Sequence, residues 1–121
     1  MQVTLYHNPA CSKSRETLAL IRAAGIEPCI VEYLDTPLSR AELVSLSSAL
    51  GLSVSGLMRT GDALYAGLAL DAPDCSDEMR LDALLANPPL FNRPVVLGPL
   101  GARVCRPPEA VLEILPAIDT P

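Results

Sequence analysis

The stretch Val3-Thr4-Leu5-Tyr6-His7-Asn8-Pro9-Ala10-Cys11-Ser12-Lys13-Ser14-Arg15 decides how the rest of the chain is read. Val3–Tyr6 alternates and reads as a short strand. His7–Ala10 reads as a turn, because Asn-Pro initiates turns and proline pushes the residue before it out of the helical region. From Cys11 a helix is predicted, with Leu18, Ile21 and Ala24 on one face, Arg15 and Arg22 elsewhere, and Gly25 as its stop. Cys29-Ile30-Val31-Glu32-Tyr33-Leu34 then reads as a second strand. Strand, helix, strand makes a βαβ unit, which requires parallel strands and a right-handed crossover.

Downstream the pattern turns helical. Ser39-Arg40-Ala41-Glu42 has the form of a capping box; Leu43, Leu46 and Leu50 follow at helical spacing until Gly51. Short helical pieces are predicted at Ser53–Met58 and after Gly61-Asp62. Ser76-Asp77-Glu78 opens another helix with two acids in its first turn, favourable to the helix dipole, and Asn87-Pro88-Pro89 ends it. Strands return at Pro94–Leu97 and Ala102–Cys105, joined through Gly98-Pro99-Leu100-Gly101 as a hairpin. Pro107-Pro108-Glu109 opens a last predicted helix carrying Val111, Leu112 and Leu115. The order βαβ, helices, ββα implies an α/β domain with a mixed four-stranded sheet. The expected organisation is one domain over 1–121, with 1–36 and 88–117 as its core and 37–87 as an inserted helical block.

Composition narrows the function. The 121 residues are half hydrophobic but hold one Phe, three Tyr and no Trp, so the core must be aliphatic. A formal charge of −5 disfavours a general binder of nucleic acid or anionic membrane. No apolar run is long enough for a membrane span and no signal peptide is legible, so a cytoplasmic protein is expected. The cysteines, Cys11, Cys29, Cys75 and Cys105, form no CxxC or CxxH pair, which argues against a zinc site and leaves free thiols as the expectation. Cys29 and Cys105, in predicted strands, are expected to be buried, and Cys75, among acids, exposed.

Cys11 is the candidate nucleophile. It follows a strand and a turn and opens a helix, where open α/β sheets place ligands. Helix amides and the dipole stabilise a thiolate there, and the same amides cradle anions. Lys13 and Arg15 add positive charge, and Ser14 offers a hydroxyl where a dithiol redox protein would carry its second cysteine. His7, the one histidine, could hydrogen-bond the thiolate or an oxyanion, or be structural. Arg59, Arg93 and Arg106 occupy suggestive contexts, and each could pair two donors with an oxyanion. Eight of the nine basic residues are Arg, so residue type alone does not select these three over Arg22 or Arg80.

His7–Arg15, Glu32-Tyr33-Leu34-Asp35-Thr36-Pro37, Leu57-Met58-Arg59, Asn92-Arg93-Pro94-Val95-Val96 and Arg103–Glu109 together resemble the glutathione- and glutaredoxin-dependent arsenate reductase family. The resemblance implies a thioredoxin-like fold with Pro94 as a cis-proline beside the active thiol. It implies that Cys11 attacks arsenate to form a thiol–arsenic adduct, held by Arg59, Arg93 and Arg106. His7 and Ser14 would tune the cysteine, with Arg15 in support. Glutathione, as co-substrate, and glutaredoxin would carry the adduct to arsenite, with no metal or bound cofactor. The sequence departs from the best-known members at Ser12-Lys13, where they carry Gly-Thr. Two other readings share the fold: a glutathione-linked thiol–disulfide oxidoreductase acting on another substrate, and a regulator that binds RNA polymerase, as Spx-like proteins do.

Overall fold

The computed structural model describes residues 2–116. Its strands are β1 (Thr4–His7), β2 (Cys29–Glu32), β3 (Val95–Gly98) and β4 (Gly101–Val104), and its helices α1 (Ser12–Ala23), α2 (Arg40–Leu50), α3 (Ala63–Gly67) and α4 (Asp77–Ala86). Three 3-10 turns complete it, at Val54–Leu57, Pro88–Leu90 and Pro108–Glu113. The chain forms two compact units: one runs up to Thr36 and resumes at Arg93, and the other is Pro37–Asn92.

In the first unit the sheet order is β2-β1-β3-β4. β1 pairs parallel with β2, His7 opposite Glu32, and antiparallel with β3, Leu5 opposite Val96. This is the mixed four-stranded, thioredoxin-like sheet that the sequence predicts. One face carries Val3, Leu5 and Val96, closed by Ile21 of α1, by Cys105, and by Val111 and Ile114. The β3–β4 hairpin turns through Pro99-Leu100, between the paired Gly98 and Gly101. Gly101 has φ 136°, a conformation open to glycine and strained for other residues.

Four expectations are corrected here. The last segment is a six-residue 3-10 turn, not an α-helix. Its buried residues Pro108 and Val111, with Ile114 just after it, are three apart, matching three residues per turn, while Leu112 is 54% exposed. β2 stops at Glu32, because Asp35 and Thr36 donate their N–H groups back to the Glu32 carbonyl. Cys29 is exposed, since β2 is an edge strand. In α1 the buried face is Ser14, Thr17 and Ile21, and Ala24 is exposed; its N-terminal half packs polar groups inward.

The second unit follows its capping signals. Ser39 Oγ accepts from Glu42 N (3.1 Å) and Glu42 Oε1 accepts from Ser39 N (3.0 Å), completing the capping box; Gly51 ends α2 with φ 67°. Ser76 Oγ caps α4 through Met79 N. Arg40 ties the two helices by pairing with Glu78 and Asp82. Met58 and Phe91 form an isolated bridge. Beside it Arg59 N donates to Leu90 O, and Asn92 N to Leu57 O, both at 2.7 Å.

Candidate active site

Cys11 occupies the N-cap of α1 in extended backbone (φ −93°, ψ 123°) and is half-buried. Its loop supports itself. Asn8 Oδ1 accepts from Ala10 N at 3.0 Å, Asn8 O accepts from Cys11 N at 2.9 Å, and Arg15 Nη1 donates to Pro9 O at 2.8 Å. Asn8 is a residue that sequence reasoning did not single out. The Asn-Pro dipeptide was its signal, since a short amide side chain closes this kind of turn on its own backbone.

Partial burial, the largest influence on the Cys11 thiol, pushes its pKa up. The backbone N–H groups of Ser14 and Lys13 and the Arg93 guanidinium pull it down further, and the net shift is downward from the ordinary thiol value. The thiol makes no formal capping hydrogen bond, so the amides act mainly as a converging positive field, which favours a thiolate at a helix N-terminus.

Behind the thiol lies a buried polar pair. His7 Nδ1 is 2.5 Å from Ser14 Oγ, which also accepts from Asn8 N at 3.1 Å. His7 is 6% and Ser14 0% exposed. Burial lowers the His7 pKa, with Arg15 and Arg22 adding to that and Glu32 opposing it. A neutral imidazole can accept the Ser14 hydroxyl proton at Nδ1 while Ser14 Oγ accepts from Asn8.

Arg93 lies beside Cys11, and its Nε is buried with no hydrogen-bond partner among the described residues. The Arg93–Pro94 peptide is cis, as the resemblance implies, and so is Arg106–Pro107, which nothing in the sequence flagged. Arg106 Nη1 donates to Arg93 O at 3.0 Å. Arg59 belongs to the second unit, where it pairs with Asp62 at 3.4 Å.

Ion pairing separates the cations. Arg22, Arg40, Arg59, Arg80 and Arg103 each have a carboxylate partner. Among the described residues Lys13, Arg15, Arg93 and Arg106 have none. All four lie within four residues of Cys11 in sequence or at the base of the β3–β4 hairpin, so an acidic chain leaves its uncompensated positive charge here.

The other thiols differ. Cys105 is buried, and burial pushes its pKa to about 12. Cys75 is also buried, contrary to expectation. It lines a cavity of about 390 Å³ in the second unit together with Leu70, Met79 and Asn87; no cation borders that cavity. All four cysteines are free. No group of three or more His, Cys, Asp or Glu side chains that could hold a metal occurs among the described residues. None of the described helices is long and apolar enough to cross a membrane.

A thiolate-favouring cysteine at a helix N-cap, on a thioredoxin-like sheet and with arginine beside it, defines a thiol protein of thioredoxin-like fold. The chain belongs to the ArsC family, whose model matches residues 6–114. It is 57% identical over 116 residues to an arsenate reductase of Rhizobium meliloti (strain 1021), covering 96% of this chain and 83% of that protein. It is 48% identical to YfgD, an uncharacterised protein of Escherichia coli (strain K12), over 94% of this chain and 97% of that one. The solved structure of an arsenate reductase from Vibrio cholerae superposes with a TM-score of 0.91 at 47% identity, covering 95% of this chain and 98% of that chain.

Proposed function

We propose that this protein is an arsenate reductase in which the Cys11 thiolate attacks the arsenic of arsenate and an oxygen leaves as water. Two further thiols, from glutathione and glutaredoxin, supply the two electrons that take arsenic to arsenite and depart as a mixed disulfide, freeing Cys11. The observation that carries this reading is the pairing of a thiolate-favouring Cys11 with the buried, unpartnered Nε of Arg93. A nucleophilic anion and an oxyanion repel each other, and fixed cations with oriented amides offset that repulsion as charge develops.

In this reading Arg93 takes the oxyanion and Arg106 adds charge beside it, and Arg59, which pairs with Asp62 within its own unit, is the third arginine that the family resemblance assigns to the oxyanion. His7 and Ser14 hold the first turn of α1 so that its amides stay aimed at the sulfur, with Arg15 bracing the loop at Pro9. Cys11-Ser12-Lys13-Ser14 holds one thiol, so a local disulfide cannot form and the resolving thiols come from outside.

An omission series tests the thiol requirement. Arsenite is quantified after incubating the protein with arsenate in the presence of glutathione, glutaredoxin, both or neither. Product only with both supports the reading. Full turnover with glutaredoxin and no glutathione would contradict it.

A further inference from the structure

Of the four cations without a carboxylate partner, three are engaged elsewhere. Arg93 stands beside the thiol, Arg106 Nη1 donates to Arg93 O at 3.0 Å, and Arg15 Nη1 donates to Pro9 O at 2.8 Å. Lys13 is the fourth. Its side chain is exposed, and among the described residues its ammonium has neither an ion pair nor a hydrogen bond, not even with Glu16 one helical turn on. Its backbone, by contrast, is fixed. The Lys13 N–H is one of the two amides that draw down the Cys11 thiol, and the Lys13 carbonyl accepts from the buried Thr17 Oγ1 at 2.9 Å. Lys13 is also the only lysine in a chain with eight arginines. The two side chains suit different anions: a guanidinium is a rigid fork that matches a compact oxyanion, and an ammonium is a point charge on a flexible stem. A free charge of the second kind, rooted beside the sulfur and open to solvent, suits a flexible anion that shifts as it reacts. In the proposed reaction glutathione is such an anion, with two carboxylates and one ammonium. It approaches a protein of formal charge −5, and a local cation offsets the repulsion.

We propose that Lys13 determines specificity for the resolving thiol: its ammonium pairs with a carboxylate of glutathione as that thiol approaches Cys11, leaving the arginines to arsenate. The inference rests on reading Cys11 as an arsenate-reducing thiol resolved by glutathione, and it deepens that reading by giving the co-substrate a contact of its own.

The experiment needs no arsenate. Cys11 is allowed to react with glutathione disulfide, an anion, or with 2-hydroxyethyl disulfide, which is neutral. In each case the thiolate attacks one sulfur and the other leaves as a thiolate, and mass spectrometry of the Cys11 peptide gives the rate. The ratio of the two rates cancels any change in the reactivity of the thiol itself. Lys13→Gln is expected to lower the ratio of anionic to neutral rate roughly 2- to 5-fold, the range for one exposed ion pair. Lys13→Glu is expected to lower it further and Lys13→Arg to hold it near wild type. About 0.5 M salt is expected to bring wild type and Lys13→Gln together, because exposed charges are screened. An unchanged ratio in Lys13→Gln, or equal losses with both disulfides, would overturn the proposal. In arsenate turnover the KM for glutathione is expected to rise in Lys13→Gln more than the KM for arsenate. A rise confined to arsenate would place Lys13 on the oxyanion and overturn the proposal. Failure of the reductase reading would show separately, as missing wild-type turnover, while the disulfide ratio still decided on Lys13.

Discussion

His7 Nδ1 and Ser14 Oγ meet at 2.5 Å across the joint between β1 and α1, and both side chains are buried. The contact ties the end of the central strand to the third residue of the helix that Cys11 caps. Ser14 also takes the Asn8 N–H, so strand, turn and helix converge on one hydroxyl. The polar inward face of α1, with Ser14 and Thr17 where leucines would make a stronger core, follows from that arrangement.

Ser14→Ala removes the partner of one buried and one partly buried group, His7 Nδ1 and Asn8 N. Leaving such groups unsatisfied costs about 1–3 kcal/mol. The variant should unfold at lower urea than wild type and alkylate more slowly at Cys11 at neutral pH, both measurable on the same preparation.

His7 makes stability depend on pH in a defined direction. Its folded pKa lies below about 6.5, first because of burial. The unfolded chain therefore binds the proton more readily, and unfolding free energy rises with pH across this window. The contribution is complete above about pH 6.5 and is lost as pH falls through the depressed folded value. Urea midpoints from pH 5 to 8 should fall more steeply toward acid for wild type than for His7→Gln; parallel curves would remove His7 from the account.

Thiol reactivity should rank by site. At pH 9 in native protein Cys11 and the exposed Cys29 should react with iodoacetamide, while Cys105, pushed up to about 12 by burial, should not. Its neutral form contributes stability that is present below the unfolded thiol value and lost as pH rises toward 12. Cys29→Ser should leave arsenate turnover near wild type, since no bonding partner places it at the site.

Leu5, on the central strand and 0% exposed, packs with Ile21 and Val96 under the site. Leu5→Ala should cost about 2–5 kcal/mol through lost burial and the cavity left behind. Chemical denaturation followed by circular dichroism would measure it.

Much of the fold is legible in the sequence because its signals are local. The βαβ unit follows from Val3–Leu34, the capping box from Ser39 and Glu42, and the hairpin from Gly98 and Gly101. The exposure of Cys29 is not legible, because strand order is settled by partners distant in sequence. The final segment is misread because Val111, Leu112 and Leu115 satisfy a helical period of 3.6 almost as well as Val111 and Ile114 satisfy a period of three. Among eight arginines the residue type selects none, yet Arg59 and Arg80 have an aspartate three positions away and do pair with it. That spacing was a readable sign of compensated charge. The hydrogen bond from Arg106 Nη1 to the Arg93 carbonyl joins residues thirteen apart and needed the hairpin register to be seen.

The most direct test of the central claim is arsenate-dependent NADPH consumption in the presence of glutathione, glutaredoxin and glutathione reductase, comparing wild type with Cys11→Ser. Turnover by wild type that vanishes in the variant is the predicted result. Turnover that survives in Cys11→Ser, or wild-type turnover no faster than the protein-free mixture, would contradict Cys11-based arsenate reduction.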